Sequence, residues 1–432
     1  MLITWLLSSL PLLGALTSLL FWSNPSRMKL SSVVWSVVSL GSIVGFSNQV
    51  VIPPEGLLPL YLLPLTAMIS MLAQPAHADH RLSWIMTLVF LGVGLCVVMN
   101  QLPISSVALT LLFSGLAVLL YRHHSVLWPM SWWGIGTYAL GAICAALSLV
   151  ATGPLSSVAS VVASAVLLPL MPFHDGHLTA LTRLPGNLPS FIVLLLPTIG
   201  LHQLATVLPT VPDVAAWTVS LFALVGAFYG AVKALAQTRV RLLLAYASLS
   251  FFSMLWWFAA ATRSVTPRSA LLAGTVGLAT SGLLVAWQVV RTRYGDDVDP
   301  QAVSGLASGM PRYAVLLSLL ALAEMGLPPF GVFAGFMGLL LTAPFPSSAG
   351  LVITLLAWLA ASWYIMQMVQ RLLFGLRRPE LRYTDVLHTE LAALSIVVLV
   401  LLALGLAPAT LFAPNQTGSA AHAVTGSLVW NR

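Results

Sequence analysis

Long stretches of this chain carry no charge at all: residues 1–22, 31–54, 82–121, 125–173, 325–370 and 391–421 contain no Asp, Glu, Lys or Arg. Crossing the hydrocarbon core of a bilayer takes about 20 apolar residues in a helix, so several of these runs are long enough for two crossings. Lipid offers no hydrogen-bonding partner to an open backbone. Continuous runs of this kind therefore imply helices, and the apolar/polar alternation of a membrane barrel is absent. The expected fold class is an all-α polytopic membrane protein embedded in a lipid bilayer. Composition agrees: 59% of the 432 residues are hydrophobic and 7% are Asp, Glu, Lys or Arg, against roughly 25% charged in soluble domains.

Breaks at charge, Pro and Gly clusters divide the chain into about fourteen transmembrane helices. They fall near 2–22, 31–50, 57–73, 83–101, 104–121, 128–150, 156–183, 187–207, 214–236, 242–261, 269–290, 313–340, 349–370 and 390–411. The first segment lacks the basic start and cleavage pattern of a secretory signal and reads as the first span. Threading the spans alternately puts Arg27, Lys29, Arg81, Arg122, Arg183, Arg239, Arg241, Arg291, Arg293, Arg312, Arg371, Arg377, Arg378 and Arg382 on one face. Arg263, Arg268 and Arg432 are left on the other. By the positive-inside rule the crowded face is cytoplasmic, and both termini lie on the non-cytoplasmic side. A bacterial inner membrane is the expected location.

The net charge of +7 is carried by single Arg residues between spans, not by patches with interleaved aromatics, so nucleic acid is not an expected partner. The two cysteines, Cys96 and Cys144, each sit inside an apolar run, which speaks against a disulfide framework or a Cys-based metal site. No P-loop, dinucleotide fingerprint, nucleophile triad or haem motif occurs. No cofactor is expected, and a free-standing enzyme is the class least supported.

Two spans are interrupted by proline. The seventh reads VVASAVLLPLMPFHDGHLTAL, with Pro169 and Pro172 in mid-segment; the twelfth reads YAVLLSLLALAEMGLPPFGVFAGFMGLLL, with Gly326, Pro328 and Pro329. Proline in a helix interior removes a backbone hydrogen bond and kinks or breaks the helix. Interrupted helices in corresponding positions of two halves mark a binding or conduction region in transporters built from inverted repeats. Ordinary proline kinks are the alternative. Standing five spans apart, the two breaks define two inverted five-helix repeats with helices 7 and 12 broken. The implied organisation is 1–80 for helices 1–3, 81–208 and 209–372 for the repeats, and 373–432 for a loop and helix 14.

The stretch AFYGAVKALAQTRVRLLLAYASLSFFSM (227–254) resembles the proton-conducting family of antiporter-like subunits of respiratory complex I, Mrp-type cation/proton antiporters and membrane-bound hydrogenases. MPFH (171–174) followed by Pro185, the segment VSGLASGMPRYAVLLSLLALAEMGLPPFGVFAGF (303–336), and the tail RLLFGLRRPELRYTDVLHTE running into LGLAPATLF resemble further family segments. Together these cover about residues 156–412. The resemblance implies proton conduction through charged residues buried next to the two broken helices, where an ionisable group is costly and survives mainly as a relay. The chain departs from that pattern. The family's fifth-span glutamate has no counterpart in 107–121, its lysine before the first break becomes Leu167, and its lysine or histidine of span eight becomes Thr198. The Glu or Lys after the second break becomes Phe336, the loop aspartate becomes Arg239, with Arg241 at the lysine, and the W-L-P-D-A signature is replaced by DGHLTA.

Six residues remain as proton-relay candidates. Glu324 lies about 18 Å along its span from Arg312 and just before the GLPP break; a lone carboxyl at that depth is either a protonated hydrogen-bond donor held in the packing or a proton carrier. His174, Asp175 and His177 follow the first break, a trio suited to proton relay because histidine titrates near neutral pH and a carboxylate can hold its tautomer. As a zinc site the same H-D-x-H spacing is weak, and no metal is expected. Lys233 reads equally as an interfacial anchor or a group at a channel mouth. His202, one turn past Pro197, reads first as a core histidine. Tyr246 reads as packing, His77, Asp79, His80, His123 and His124 as loop residues, and Trp128, Trp132 and Trp133 as interfacial anchors.

The function expected is a proton-translocating antiporter-like subunit that works beside other membrane and soluble subunits. Its setting would be a complex I-like or hydrogenase-like arm, or an inorganic-carbon uptake system in which a relative is paired with a zinc protein resembling carbonic anhydrase. The alternative is a non-conducting structural subunit that keeps the fold and anchors a partner.

Overall fold

Apolar runs fold as helices throughout. The computed structural model describes residues 2–49, 54–100, 103–122, 132–294, 303–341, 348–375 and 384–407, and no strand occurs among them. In chain order the helices are α1 (Leu2–Leu19), α2 (Pro25–Phe46), α3 (Pro54–Leu72), α4 (Arg81–Met99), α5 (Ile104–Arg122), α6 (Trp132–Val150), α7 (Pro154–Leu167), α8 (Asp175–Arg183), α9 (Leu188–Val207), α10 (Asp213–Leu235), α11 (Val240–Thr262), α12 (Pro267–Tyr294), α13 (Leu306–Gly309), α14 (Pro311–Glu324), α15 (Gly331–Leu340), α16 (Ser348–Leu373) and α17 (His388–Leu406). Among the described residues, ten helical segments are long and apolar enough to cross a membrane. His123, His124, Trp128, Arg377, Arg378, Arg382, Arg432 and the end of the last expected span lie outside the described residues.

Local chemistry sets several boundaries. Proline opens α2, α7 and α14, where its missing N–H costs nothing and its fixed φ suits the first turn. Asn24 caps α2, its side chain accepting from Arg27 N at 3.2 Å. The bundle is sorted by side-chain size. Every residue of α12 from Ser269 to Trp287, and of α9 from Leu188 to Leu201, is buried. These central helices approach their neighbours through small residues: a Cβ at Gly274 would fall 2.7 Å from Leu62 Cδ1, and one at Gly277 would fall 3.0 Å from Leu194 Cα. Close backbone approach of this kind is how helices associate where lipid supplies no hydrophobic drive. The outer helices do the reverse. Leu16, Leu30, Trp133, Trp217 and Leu359 are each more than 60% exposed, as an integral membrane protein with a lipid-facing surface requires.

Basic residues stitch one end of the bundle together. Lys29 donates to Leu72 O at 3.0 Å and to Gln74 O, holding α2 against the end of α3. Arg241, at the start of α11, reaches Thr182 O of α8 and Gln288 Oε1 of α12, each at 3.3 Å. Arg293 of α12 forms a two-pronged pair with Glu390 of α17, at 2.6 and 3.2 Å. Next to it, Asp385 accepts from the backbone N–H groups of Arg312 and Tyr313 at 3.0 and 3.3 Å. An acidic side chain from a loop thus caps the N-terminus of α14, where the helix dipole favours negative charge. Arg263 and Arg268 lie at the other ends of α11 and α12, and Arg263 pairs with Asp213.

Candidate functional site

The site is built where α7 and α14 stop inside the bundle. At 14 residues each, these helices rise only about 21 Å, short of the roughly 30 Å a full crossing needs. Each is continued by a second short helix, α8 of 9 residues and α15 of 10.

The first interruption follows from proline. Leu168, preceding Pro169, is pushed to φ −90°, ψ 99°, outside the helical region. Pro169 has no N–H, so the Ala165 carbonyl takes the N–H of Leu170 instead, at 3.2 Å. The freed Leu168 carbonyl accepts from the indole Nε1–H of Trp256 at 2.9 Å. The second interruption follows from glycine. Gly326 at φ +70° ends α14 in a left-handed turn, with Leu327 N bonded to Leu322 O and Gly326 N to Ala323 O, the six-to-one and five-to-two pattern of a glycine C-cap. Pro328 and Pro329 then forbid helical continuation. Here too a carbonyl is met by an indole: Trp358 Nε1 donates to Met325 O at 3.1 Å.

Tryptophan within a span, away from the interfacial belt that it prefers, is the signal for these partners, and sequence reasoning missed it. Changing Trp256 to Phe leaves the buried Leu168 carbonyl without its partner and should cost about 1–3 kcal/mol. Thermal unfolding of the purified protein in detergent checks this.

At the first break the candidates divide into two groups. His174 is 7% exposed, with Nε2 3.8 Å from Asp175 Oδ1. Its ring meets the edge of Tyr229 at 5.5 Å between centroids. Tyr229 continues edge-to-face to Tyr246, 6.0 Å away between centroids, and to Lys233, whose Nζ stands 5.7 Å from the Tyr229 centroid. Lys233, exposed in the last turn of α10, is thereby connected through an aromatic ring to the His174–Asp175 pair. Tyr229 was not singled out from sequence; Tyr246 packs against its ring. His177 is directed elsewhere. Fully buried, it shares a 2.9 Å hydrogen bond with Ser248 of α11. Because Ser248 donates to Ala245 O at 3.0 Å, Nε2 of His177 is the donor to Ser248, and Nδ1, which has no partner among the described residues, holds the free lone pair. His202 joins neither group, and its Nδ1 is likewise unpartnered among the described residues.

At the second break Glu324 occupies the last helical position of α14, 0% exposed. Its Oε1 accepts from Thr280 Oγ1 of α12 at 2.9 Å, while Oε2 has no partner among the described residues. The Tyr364 hydroxyl of α16 is buried and likewise has no partner among the described residues. A carboxyl group in this setting can keep one fixed hydrogen bond and exchange a proton through the other oxygen.

Between the breaks stands α11, whose buried face is aromatic. Phe252 meets His177 edge-on at 6.1 Å, and Phe258 meets Phe336 at 6.2 Å. Phe336 in turn meets Trp358 with rings tilted by 39° at 4.5 Å between centroids. Leu167 is buried without polar function, and Thr198 turns its hydroxyl back to Leu194 O at 2.7 Å.

Residues 106–362, more than half of the chain, match the family model described as NADH:quinone oxidoreductase/Mrp antiporter, TM. Among curated relatives, F(420)H(2) dehydrogenase subunit M of Methanosarcina mazei is 28% identical over 252 residues, 56% of this chain and 50% of that protein. NADH-quinone oxidoreductase subunit M of Escherichia coli strain K12 is 26% identical over 279 residues, 62% of this chain and 53% of that protein. The chain thus spans about half the length of the curated relatives it matches. Among solved structures, a chain of the membrane-bound sulfane sulfur reductase, an archaeal respiratory membrane complex, superposes with a TM-score of 0.81 at 16% identity, covering 95% of both chains. Sequence and fold therefore agree: the chain belongs to the NADH:quinone oxidoreductase/Mrp antiporter transmembrane family.

Proposed function

We propose that this chain is a proton-translocating, antiporter-like membrane subunit of a multisubunit complex, with Glu324 as the group that takes up and releases the proton. The observation that carries the reading is the geometry of Glu324: a wholly buried carboxyl at a helix break, fixed through one oxygen by Thr280 and unpartnered at the other among the described residues. The cost of a carboxyl group inside a membrane protein supports a transport role over an incidental one. His174 with Asp175, reached from Lys233 through Tyr229, forms the second exchange point. The framework proposed with it has about fourteen spans, inverted repeats at 81–208 and 209–372, and both termini on the non-cytoplasmic side of a bacterial inner membrane. Named subunits of NADH-quinone oxidoreductases and of F(420)H(2) dehydrogenase among the relatives support a place beside partner subunits that supply the driving reaction.

Phe336 favours a second reading, a structural subunit that has kept the fold and lost conduction, because an aromatic ring packed against Phe258 and Trp358 stands where the family resemblance implies a Glu or Lys. Proton flux into proteoliposomes carrying the native complex separates the two. The transport reading expects flux to fall in Glu324→Gln and in His174→Ala. Unchanged flux in both variants and in their combination would leave the structural reading.

A further inference from the structure

α3 carries a polar stripe that neither break uses. Thr66 and Ser70 stand four residues apart, hence on one helical face, and Gln74 follows just past the end of the helix; the three are 0%, 2% and 1% exposed. At the basic end of the bundle, Asn187 at the start of α9 donates through Nδ2 to Ser70 Oγ at 3.1 Å and to Thr87 Oγ1 of α4 at 2.9 Å. Gln74 Oε1 accepts from Trp84 Nε1 at 2.8 Å. Thr66 lies one turn further in, about 6 Å along the helix from Ser70.

The stripe leads toward α12. Gly274 packs on Leu58 and Leu62 of α3; Ser281 lies two turns beyond Gly274 on the same face of α12, and Thr66 one turn beyond Leu62 on the same face of α3. The two helices run in the same direction. The end of α3 is held by Lys29, the end of α12 by Arg241 and Glu390, and α17, which carries Glu390, packs against both helices. Thr66 and Ser281 therefore stand on facing stripes at similar depth. The residue next to Ser281 is Thr280, which donates to Glu324.

Four polar atoms along this course have no hydrogen-bonding partner among the described residues: Gln74 Nε2, Asn187 Oδ1, Thr66 Oγ1 and Ser281 Oγ. Ser and Thr inside helices ordinarily bond back to a carbonyl one turn earlier, as Thr87 does to Ser83 O and Thr198 to Leu194 O. Thr66 and Ser281 do not. Buried polar groups left in this condition are costly, and ordered water with two to four polar partners is how interiors resolve it.

We propose that Gln74, Asn187, Thr66 and Ser281 hold a file of water molecules joining the basic end of the bundle to Glu324. Along it each water accepts a proton from one neighbour and passes one to the next, so no charged relay is required. This rests on Glu324 as the proton-exchanging group and adds the route by which it is supplied.

The test uses the full complex in membrane vesicles with the basic end of the subunit outward, in a Cys96→Ala/Cys144→Ala background. Thr66→Cys and Ser281→Cys should react with the small cationic reagent methanethiosulfonate ethylammonium, whereas Ala279→Cys, on the opposite face of α12, should not. Thr66→Val combined with Ser281→Ala should slow proton flux several-fold. Absence of labelling at both cysteines, or unchanged flux in the Val/Ala variant, overturns the water file. If Glu324→Gln abolishes flux in that same experiment, the role of Glu324 stands and the route alone is wrong. If Glu324→Gln leaves flux intact, the underlying reading fails, and the file fails with it as a supply route.

Discussion

Glu390→Ala should destabilise the folded subunit by about 3–5 kcal/mol, the range found when one partner of a buried ion pair is removed. The guanidinium of Arg293 and the carboxylate of Glu390 have side chains only 9% and 4% exposed, and they meet through two hydrogen bonds. Glu390 also accepts from Leu387 N at 2.8 Å, starting α17. Without the carboxylate, Arg293 keeps, among the described residues, the carbonyls of Val289, Thr384 and Asp385, and a full charge stays buried. The pair and its neighbour Asp385 fix α17 and the start of α14 to α12, so the loss should loosen the helix that carries Glu324. Replacing both partners, as Arg293→Met with Glu390→Leu, should recover most of the stability, since two matched apolar side chains leave no orphaned charge. Thermal unfolding of the single and double variants in detergent measures both effects.

The second large effect is functional. Glu324→Gln should reduce coupled proton flux by about 100-fold or more, the lower range for loss of a positioned proton-transfer group. The fold should survive. Glutamine has nearly the same shape, and its carbonyl oxygen can still accept from Thr280 Oγ1, the one fixed bond that the carboxyl makes. Only the exchangeable acid is lost. Stability close to that of the unmodified protein, together with collapsed flux, is the expected pairing.

Much of this was legible in the chain because it follows from single residues. Proline's missing N–H ends α7, a left-handed glycine ends α14, and charge-free runs become buried or lipid-facing helices. Glu324 stood out because any carboxyl within such a run is costly. Partners were not legible. Thr280 and Glu324 are 44 residues apart, and His177 and Ser248 are 71; helical periodicity fixes which face a residue occupies, not which helix will lie against it. Tyr229, Trp256, Trp358, Asp385 and the Thr66 stripe were missed for that reason.

The claim on which the rest depends is that Glu324, though sealed from bulk solvent by the helices around it, exchanges its proton with water. Infrared difference spectra of the purified complex in H2O and D2O report this directly. A carboxylic C=O band that shifts on deuteration and is absent from Glu324→Gln is the predicted result; a Glu324 band that stays unshifted after prolonged incubation in D2O would contradict it.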